Sequence, residues 1–301
     1  MGGSAHLTRI LNEIKHLGYP HPEYLYMGWK PRILIYGMEG VGKSTFATGS
    51  EKPIWLDLES GTSQLKIARY PFQDLNVERL TQVIEAIHDL ETQSHDYKTL
   101  IIDTIDRLEH LVWDSVCEKA STNGRKMESI ESFGYGRGYV LALQCFKTLI
   151  TRLERLRRKG MTIVLLGHSM IKNYKNPEGD DYDRYTLRLH DKSASFLKEW
   201  SDVVGFMRFE EGAAKLDGDN RAKGFSTGKR FLHFQRTAAF DAKSRYQLPI
   251  EIEIKGPKSW PTFGKKTKAD PKEKKAGTQC DQPYYKEPEI GFLQKTEENP
   301  F

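Results

Sequence analysis

Gly37-Met38-Glu39-Gly40-Val41-Gly42-Lys43-Ser44-Thr45 completes the spacing G-x-x-x-x-G-K-[ST]. An apolar run, Ile33 to Tyr36, precedes it and a helical stretch follows, which is the strand-loop-helix context that this spacing needs. Its glycines let backbone N–H groups curl around phosphate oxygens, and the helix start adds its positive end. The stretch from Gly37 to Thr45 is therefore predicted to hold ATP. Lys43 would reach the β and γ oxygens, and Ser44 would hold Mg²⁺.

Further apolar runs recur outward from this loop at Ile54 to Leu58, Leu100 to Asp103 and Ile163 to Leu166, with helical stretches between them. The helix near Leu141 to Arg158 sets Leu141, Phe146, Leu149, Ile150, Leu153 and Leu156 on one face and ends in basic residues and Gly160. Alternating strands and helices with continuously apolar strands predict an α/β fold, with a mostly parallel central sheet flanked by helices. Residues 1–30 read as a short amphipathic helix and connector, 31–254 as the core, and 255–301, rich in Lys, Pro, Gly and Glu, as a disordered tail. Between Gly167 and Asp191 the reading is a polar stretch, followed by a helix from about Lys192 to Ser201 and strand-like segments near Val203 to Phe209 and Phe231 to Gln235.

Asp103 closes the run Leu100-Ile101-Ile102, so a carboxylate stands at the C-terminal edge of a buried strand, where it can hold a magnesium-bound water. A helix-capping role for the same strand end is the competing reading. Glu59, just past Trp55-Leu56-Asp57-Leu58, is placed to orient or deprotonate water. Thr267-Lys268-Ala269-Asp270 imitates a guanine-reading motif but follows no buried strand, so ATP is preferred to GTP.

The 301 residues are 38% hydrophobic and 29% charged with a net charge of +5, enough for one α/β domain with appendages. No apolar run approaches the length of a membrane span, and the start lacks both a signal-sequence pattern and a myristoylation site, so a cytoplasmic protein is expected. Cys117, Cys145 and Cys280 lie far apart, which argues against a zinc site and a disulfide framework. Phe133-Gly134-Tyr135-Gly136-Arg137-Gly138-Tyr139 fails the dinucleotide pattern, since Tyr139 fills the last glycine position. Tyr135 and Tyr139 could instead stack on single-stranded bases, with Arg137 at a phosphate; a glycine-rich helix lead-in with packed tyrosines is the alternative.

The combination of GMEGVGKST, WLDLESG, DYKTLIIDTID, ESFGYGRGY, IVLLGHS and DAKSRYQLP, in this order, resembles the RecA-like P-loop NTPase core. Within that group it resembles the phage nucleotide-binding proteins that include ATP-dependent single-strand annealing proteins of the Sak type. The resemblance covers about residues 30–255. It implies that Glu59 matches the catalytic glutamate, that Glu39 matches a glutamate of the RecA loop, and that His168 matches the position that senses the γ-phosphate. It also implies that Lys243 and Arg245 reach a neighbouring copy's ATP, with ATP at interfaces of a ring or filament. The stretch from Met170 to Lys192, with Lys172, Lys175, Arg184 and Arg188, takes the place of the second DNA loop. The expected function is a phage-type recombination ATPase that assembles on single-stranded DNA and promotes annealing or strand pairing. A nucleotide-switched loader or adaptor and a double-stranded DNA motor remain open. Glu297-Glu298-Asn299-Pro300-Phe301 resembles the acidic tip of bacterial single-stranded DNA-binding proteins, which suggests host partners of those proteins as partners of the tail.

Overall fold

The computed structural model describes residues 30–72, 77–122, 127–214 and 223–267. The strands are β1 (Arg32–Gly37), β2 (Pro53–Asp57), β3 (Thr99–Asp103), β4 (Thr162–Tyr174), β5 (Tyr182–Leu187), β6 (Val203–Ala214), β7 (Lys223–His233), β8 (Lys243–Ser244) and β9 (Glu251–Glu253). The helices are α1 (Lys43–Ala47), α2 (Leu80–Thr92), α3 (Ile105–Thr122), α4 (Arg137–Arg158), α5 (Asp191–Trp200) and α6 (Trp260–Thr267). All the strands join one sheet in the order β2-β3-β4-β1-β6-β7-β9, with β5 paired to β4 and β8 to β6. From β2 to β6 neighbouring strands run parallel, and the pairs involving β5, β7, β8 and β9 are antiparallel.

Alternation along the buried strands divides the core into two layers. Leu34, Tyr36, Leu56, Leu100, Ile102, Ile163 and Leu165 face α2, α3 and α4. Ile33, Ile35, Trp55, Ile101, Val164 and Leu166 face the other way, against Phe46 of α1 and Trp260 and Phe263 of α6. Among the described residues no helix is long and apolar enough to cross a membrane.

Three expectations change. The tail was expected to begin at 255, yet Gly256–Ser259 form a 3-10 turn and α6 follows it. Phe46 lies 4.9 Å from Trp260 and 5.9 Å from Phe263, ring centre to ring centre. Phe263 is 1% exposed, a burial that contributes roughly 1.5–3 kcal/mol. A lysine-rich composition concealed two aromatic anchors. The rest of the tail, with Phe301, and the amphipathic segment before residue 30 lie outside the described residues. Second, the polar stretch after Gly167 is a hairpin: β4 continues to Tyr174 and pairs with β5 from Ser169↔Leu187 to Tyr174↔Tyr182. Its charged side chains hid the strand alternation because neither face of this outer part is fully buried. Third, α4 starts at Arg137, so Arg137, Gly138 and Tyr139 form its first turn.

Candidate active site

Gly37 ends β1 in register with His168 of β4 on one side and Met207 of β6 on the other. Its missing side chain lets the Met207 carbonyl close on the strand end. The loop then passes Gly40 and Gly42 at φ 72° and 96°, a left-handed backbone that glycine adopts freely. Val41 turns its side chain into the core, leaving only its backbone to the loop. Lys43 is 6% exposed, and its Nζ donates to the carbonyls of Gly37 (3.0 Å) and Met38 (2.9 Å). Burial pulls its pKa down against the charges of Asp103 and Asp106.

Ser44 Oγ donates to Asp103 Oδ2 at 2.7 Å. Asp103 ends β3, two places from β1 with β4 between them, and that spacing leaves room for the loop and α1 above the gap. Burial raises its pKa to about 6; the Ser44 hydrogen bond and Lys43 oppose this, while Asp57 and Glu59 add to it. The opposed oxygens of Ser44 and Asp103 suit a hard divalent cation such as Mg²⁺.

Glu59, one residue beyond Leu58, is exposed and accepts a 2.7 Å hydrogen bond from Thr104 Oγ1. Asp57, in register with Asp103, anchors the loop that carries Glu59. It accepts from the Thr62 hydroxyl and from Thr62 N at 3.3 Å, with Arg69 Nε at 3.5 Å. The sequence reading missed Asp57 as a site residue; its signal was an acid closing a buried strand, as Asp103 does. Lys43, Ser44, Thr45, Asp57, Glu59, Asp103, Thr104 and His168 line one cleft of about 330 Å³ with Gly40 and Gly42.

His168 is fixed by Asp106, in the first turn of α3. The Asp106 carboxylate accepts from His168 N at 3.1 Å and lies 2.8 Å from Nδ1. Burial alone would raise the Asp106 pKa, but hydrogen bonds from His168 and Arg188 outweigh it and hold the carboxyl well below the usual range. Arg188 bridges the same Asp106 (2.9 Å) to Glu39 of the phosphate loop (3.0 Å). The sequence placed Arg188 on a DNA loop; its guanidinium lies against the nucleotide loop instead. Glu59, Asp106 and His168 bring ligand atoms within 4.8 Å of one another, but the Arg188 cation already occupies Asp106 Oδ2, which disfavours a metal there.

Arg184 also departs from its expected role: it is 4% exposed and bonded to Asp241 and to Thr237 O, so it cannot meet nucleic acid without breaking a buried pair. Lys172 and Lys175 are exposed and paired with Asp191 and Asp181. Tyr135 is fully exposed with φ 48°, and Arg137 is exposed. Tyr139 is half-buried, stacked at 4.1 Å on His190, the neighbour of the Asp191 that holds Lys172. The two segments proposed from sequence for nucleic acid therefore meet at the start of α5.

Lys243 and Arg245 lie elsewhere. β8 pairs with the first residues of β6, Val203 and Val204, about 10–13 Å down the sheet by strand rise from Met207, which lies level with Gly37 at the start of the phosphate loop. Arg245 Nη1 donates to Asp202 at 2.9 Å, and Lys243 Nζ donates to Glu199 O at 3.0 Å. Neither reaches the nucleotide loop of its own chain.

No curated protein matches the chain. Solved structures similar to it include the crystal structure of the RadB recombinase, at 11% identity and a TM-score of 0.36, covering 80% of this chain and 91% of that one. Residues 29–246 match the family described as the AAA domain; with that match spanning most of its length and a complete phosphate loop at its centre, the chain belongs to the AAA domain family of P-loop NTPases.

Proposed function

We propose that this NTPase is a magnesium-dependent ATPase of DNA recombination, which assembles on single-stranded DNA and promotes annealing or strand pairing. The observation that carries the catalytic part is the convergence of Lys43, the Ser44–Asp103 pair, the Thr104–Glu59 pair and the Asp106-held His168 on one cleft. Ser44 and Asp103 would hold Mg²⁺, which when bound neutralises charge on the β and γ phosphates. Lys43 exchanges two backbone carbonyls for phosphate oxygens. Glu59, oriented by Thr104, accepts a proton from or orients the attacking water. With Nδ1 of His168 tied to Asp106, Nε2 is the ring atom left to sense the γ-phosphate.

Support for the DNA part is the meeting of Tyr139 and Lys172 around His190 and Asp191, beside the exposed Tyr135 and Arg137. These are aromatic faces and cations of the kind that hold single strands. Assembly is supported by the position of Arg245 and Lys243, whose distance from their own cleft leaves a neighbouring copy's nucleotide as the phosphate they could serve. The test is the ATPase rate across protein concentrations with and without single-stranded DNA. Stimulation by both is expected. A rate indifferent to both overturns the recombination reading, and turnover raised only by a protein partner or by duplex DNA favours a loader or a motor.

A further inference from the structure

The space beside Gly42 is filled from an unexpected direction. Where a Cβ on Gly42 would stand, Nη1 of Arg230 is 2.5 Å away, with Cζ at 3.6 Å and Cδ at 3.9 Å. Arg230 comes from β7, opposite Phe209 of β6, and its carbonyl accepts from Ile254 N at 2.7 Å. That bond fixes the strand and leaves the side chain to reach past β6 to the loop. In the sheet order β4-β1-β6-β7 it arrives from the flank opposite to Asp103, Glu59 and His168.

Two features set Arg230 apart from a surface arginine. Among the described residues no carboxylate pairs with it, whereas Arg32, Arg184, Arg188 and Arg245 each hold one at 3.0 Å or less. A guanidinium offers five donors and stays charged at any physiological pH, so a half-buried one without an anion is an incomplete pair. The second feature is the place itself. A phosphate loop uses glycine where the backbone must let an anion approach closely, and at Gly42 the group standing in that space is a cation.

We infer that Arg230 is a nucleotide contact supplied by the chain's own β7, its guanidinium donating charge-assisted hydrogen bonds to the phosphate oxygens of a bound nucleoside di- or triphosphate. The inference rests on the nucleotide-binding reading above and adds a residue that neither the loop motif nor the resemblance assigns. Lys43 and Arg230 then flank the phosphates from the two sides of Gly42, within one copy and without assembly. Arginine suits the task because its planar fork can engage two oxygens at once.

Equilibrium binding of fluorescent ADP and ATP analogues to the full chain tests this, with wild type, Lys43→Ala, Arg230→Gln and Arg230→Lys compared, and melting followed without nucleotide. Arg230→Gln should weaken both nucleotides by about 10- to 100-fold, with an unchanged nucleotide-free melting temperature and a shallower salt dependence. Arg230→Lys should recover part of the loss. Arg230→Gln binding both nucleotides as wild type does, or more tightly, would overturn the inference while leaving the nucleotide reading intact. So would a melting loss with unchanged binding by the folded protein. A wild type that binds neither nucleotide overturns both.

Discussion

The two edges of the parallel strands handle charge in opposite ways. At the lower edge Asp202 accepts from Arg32 at 2.6 Å and from Arg245 at 2.9 Å, with Arg157 at 3.6 Å. Glu154 joins Arg32, Arg157 and the Trp200 indole. Burial alone would raise the Asp202 pKa, but the bonds and charge of Arg32 and Arg157 keep it low. At the upper edge the acids Asp103, Asp106, Glu39 and Glu59 act on one buried lysine, Lys43, and Asp103 is pushed the other way. A saturated cluster locks strands together; an edge with unmatched charge on both signs is built to receive something. The same residue types thus serve structure at one end and a ligand at the other, according to how completely each is paired.

The largest effect expected is at the upper edge. Lys43→Ala should lose tight ATP binding, whereas Glu59→Gln should keep it and lose turnover by about 10²–10⁴-fold, since only the latter leaves the phosphate cradle intact. Binding titration beside single-turnover hydrolysis checks both, and a Glu59→Gln variant hydrolysing at the parent rate would assign the base elsewhere. Arg245→Ala asks whether the lower edge is purely structural. If Arg245 serves a neighbour, turnover falls by up to about 10³-fold and mixing with Lys43→Ala restores part of it. No recovery in demonstrated mixed assemblies would return Arg245 to the Asp202 cluster.

Asp202→Asn should sharpen the contrast from below. It strips the charge from a carboxylate that three guanidinium groups share and should cost about 3–5 kcal/mol in urea unfolding, with the ATP affinity of the folded protein unchanged. An equal loss of affinity would mean that the edges are not separable. The smallest effect concerns pH. Asp103 has a folded pKa of about 6, above the ordinary 3.8, so the stability it contributes is full below its unfolded value and is lost as pH rises through 6. Magnesium binding needs the carboxylate and runs oppositely, so magnesium-dependent nucleotide affinity should fall by about tenfold per pH unit below 6. Asp103→Asn should flatten that profile.

The fold was legible because its central strands are apolar without interruption. Leu100-Ile101-Ile102-Asp103 could only be a strand buried on both faces, and β3 is buried along its whole length. The hairpin of β4 and β5 was not legible, since its partly exposed faces carry no clear alternation and Lys172, Asp183 and Arg184 read as loop. The end of the core was misplaced for a similar reason: composition averages over a window, whereas Trp260 and Phe263 needed only two positions to anchor α6 on α1.

What the sequence determined by itself is the local chemistry: a glycine loop whose left-handed turns at Gly40 and Gly42 suit few other residues, a lysine and a serine at its exit, and acids closing buried strands. These follow from backbone sterics and from period-two burial, which act over a few residues. What only the tertiary structure decided is which charges meet. The sequence offers Arg184, Arg188, Arg230 and Arg245 as equivalent cations, yet one is buried on Asp241, one clamps the phosphate loop to Asp106, one stands at Gly42, and one lies in the cluster at the far edge. Pairing depends on which strands the sheet order brings side by side, and contacts across 40 to 190 residues of chain leave no periodic trace for a sequence reading to find.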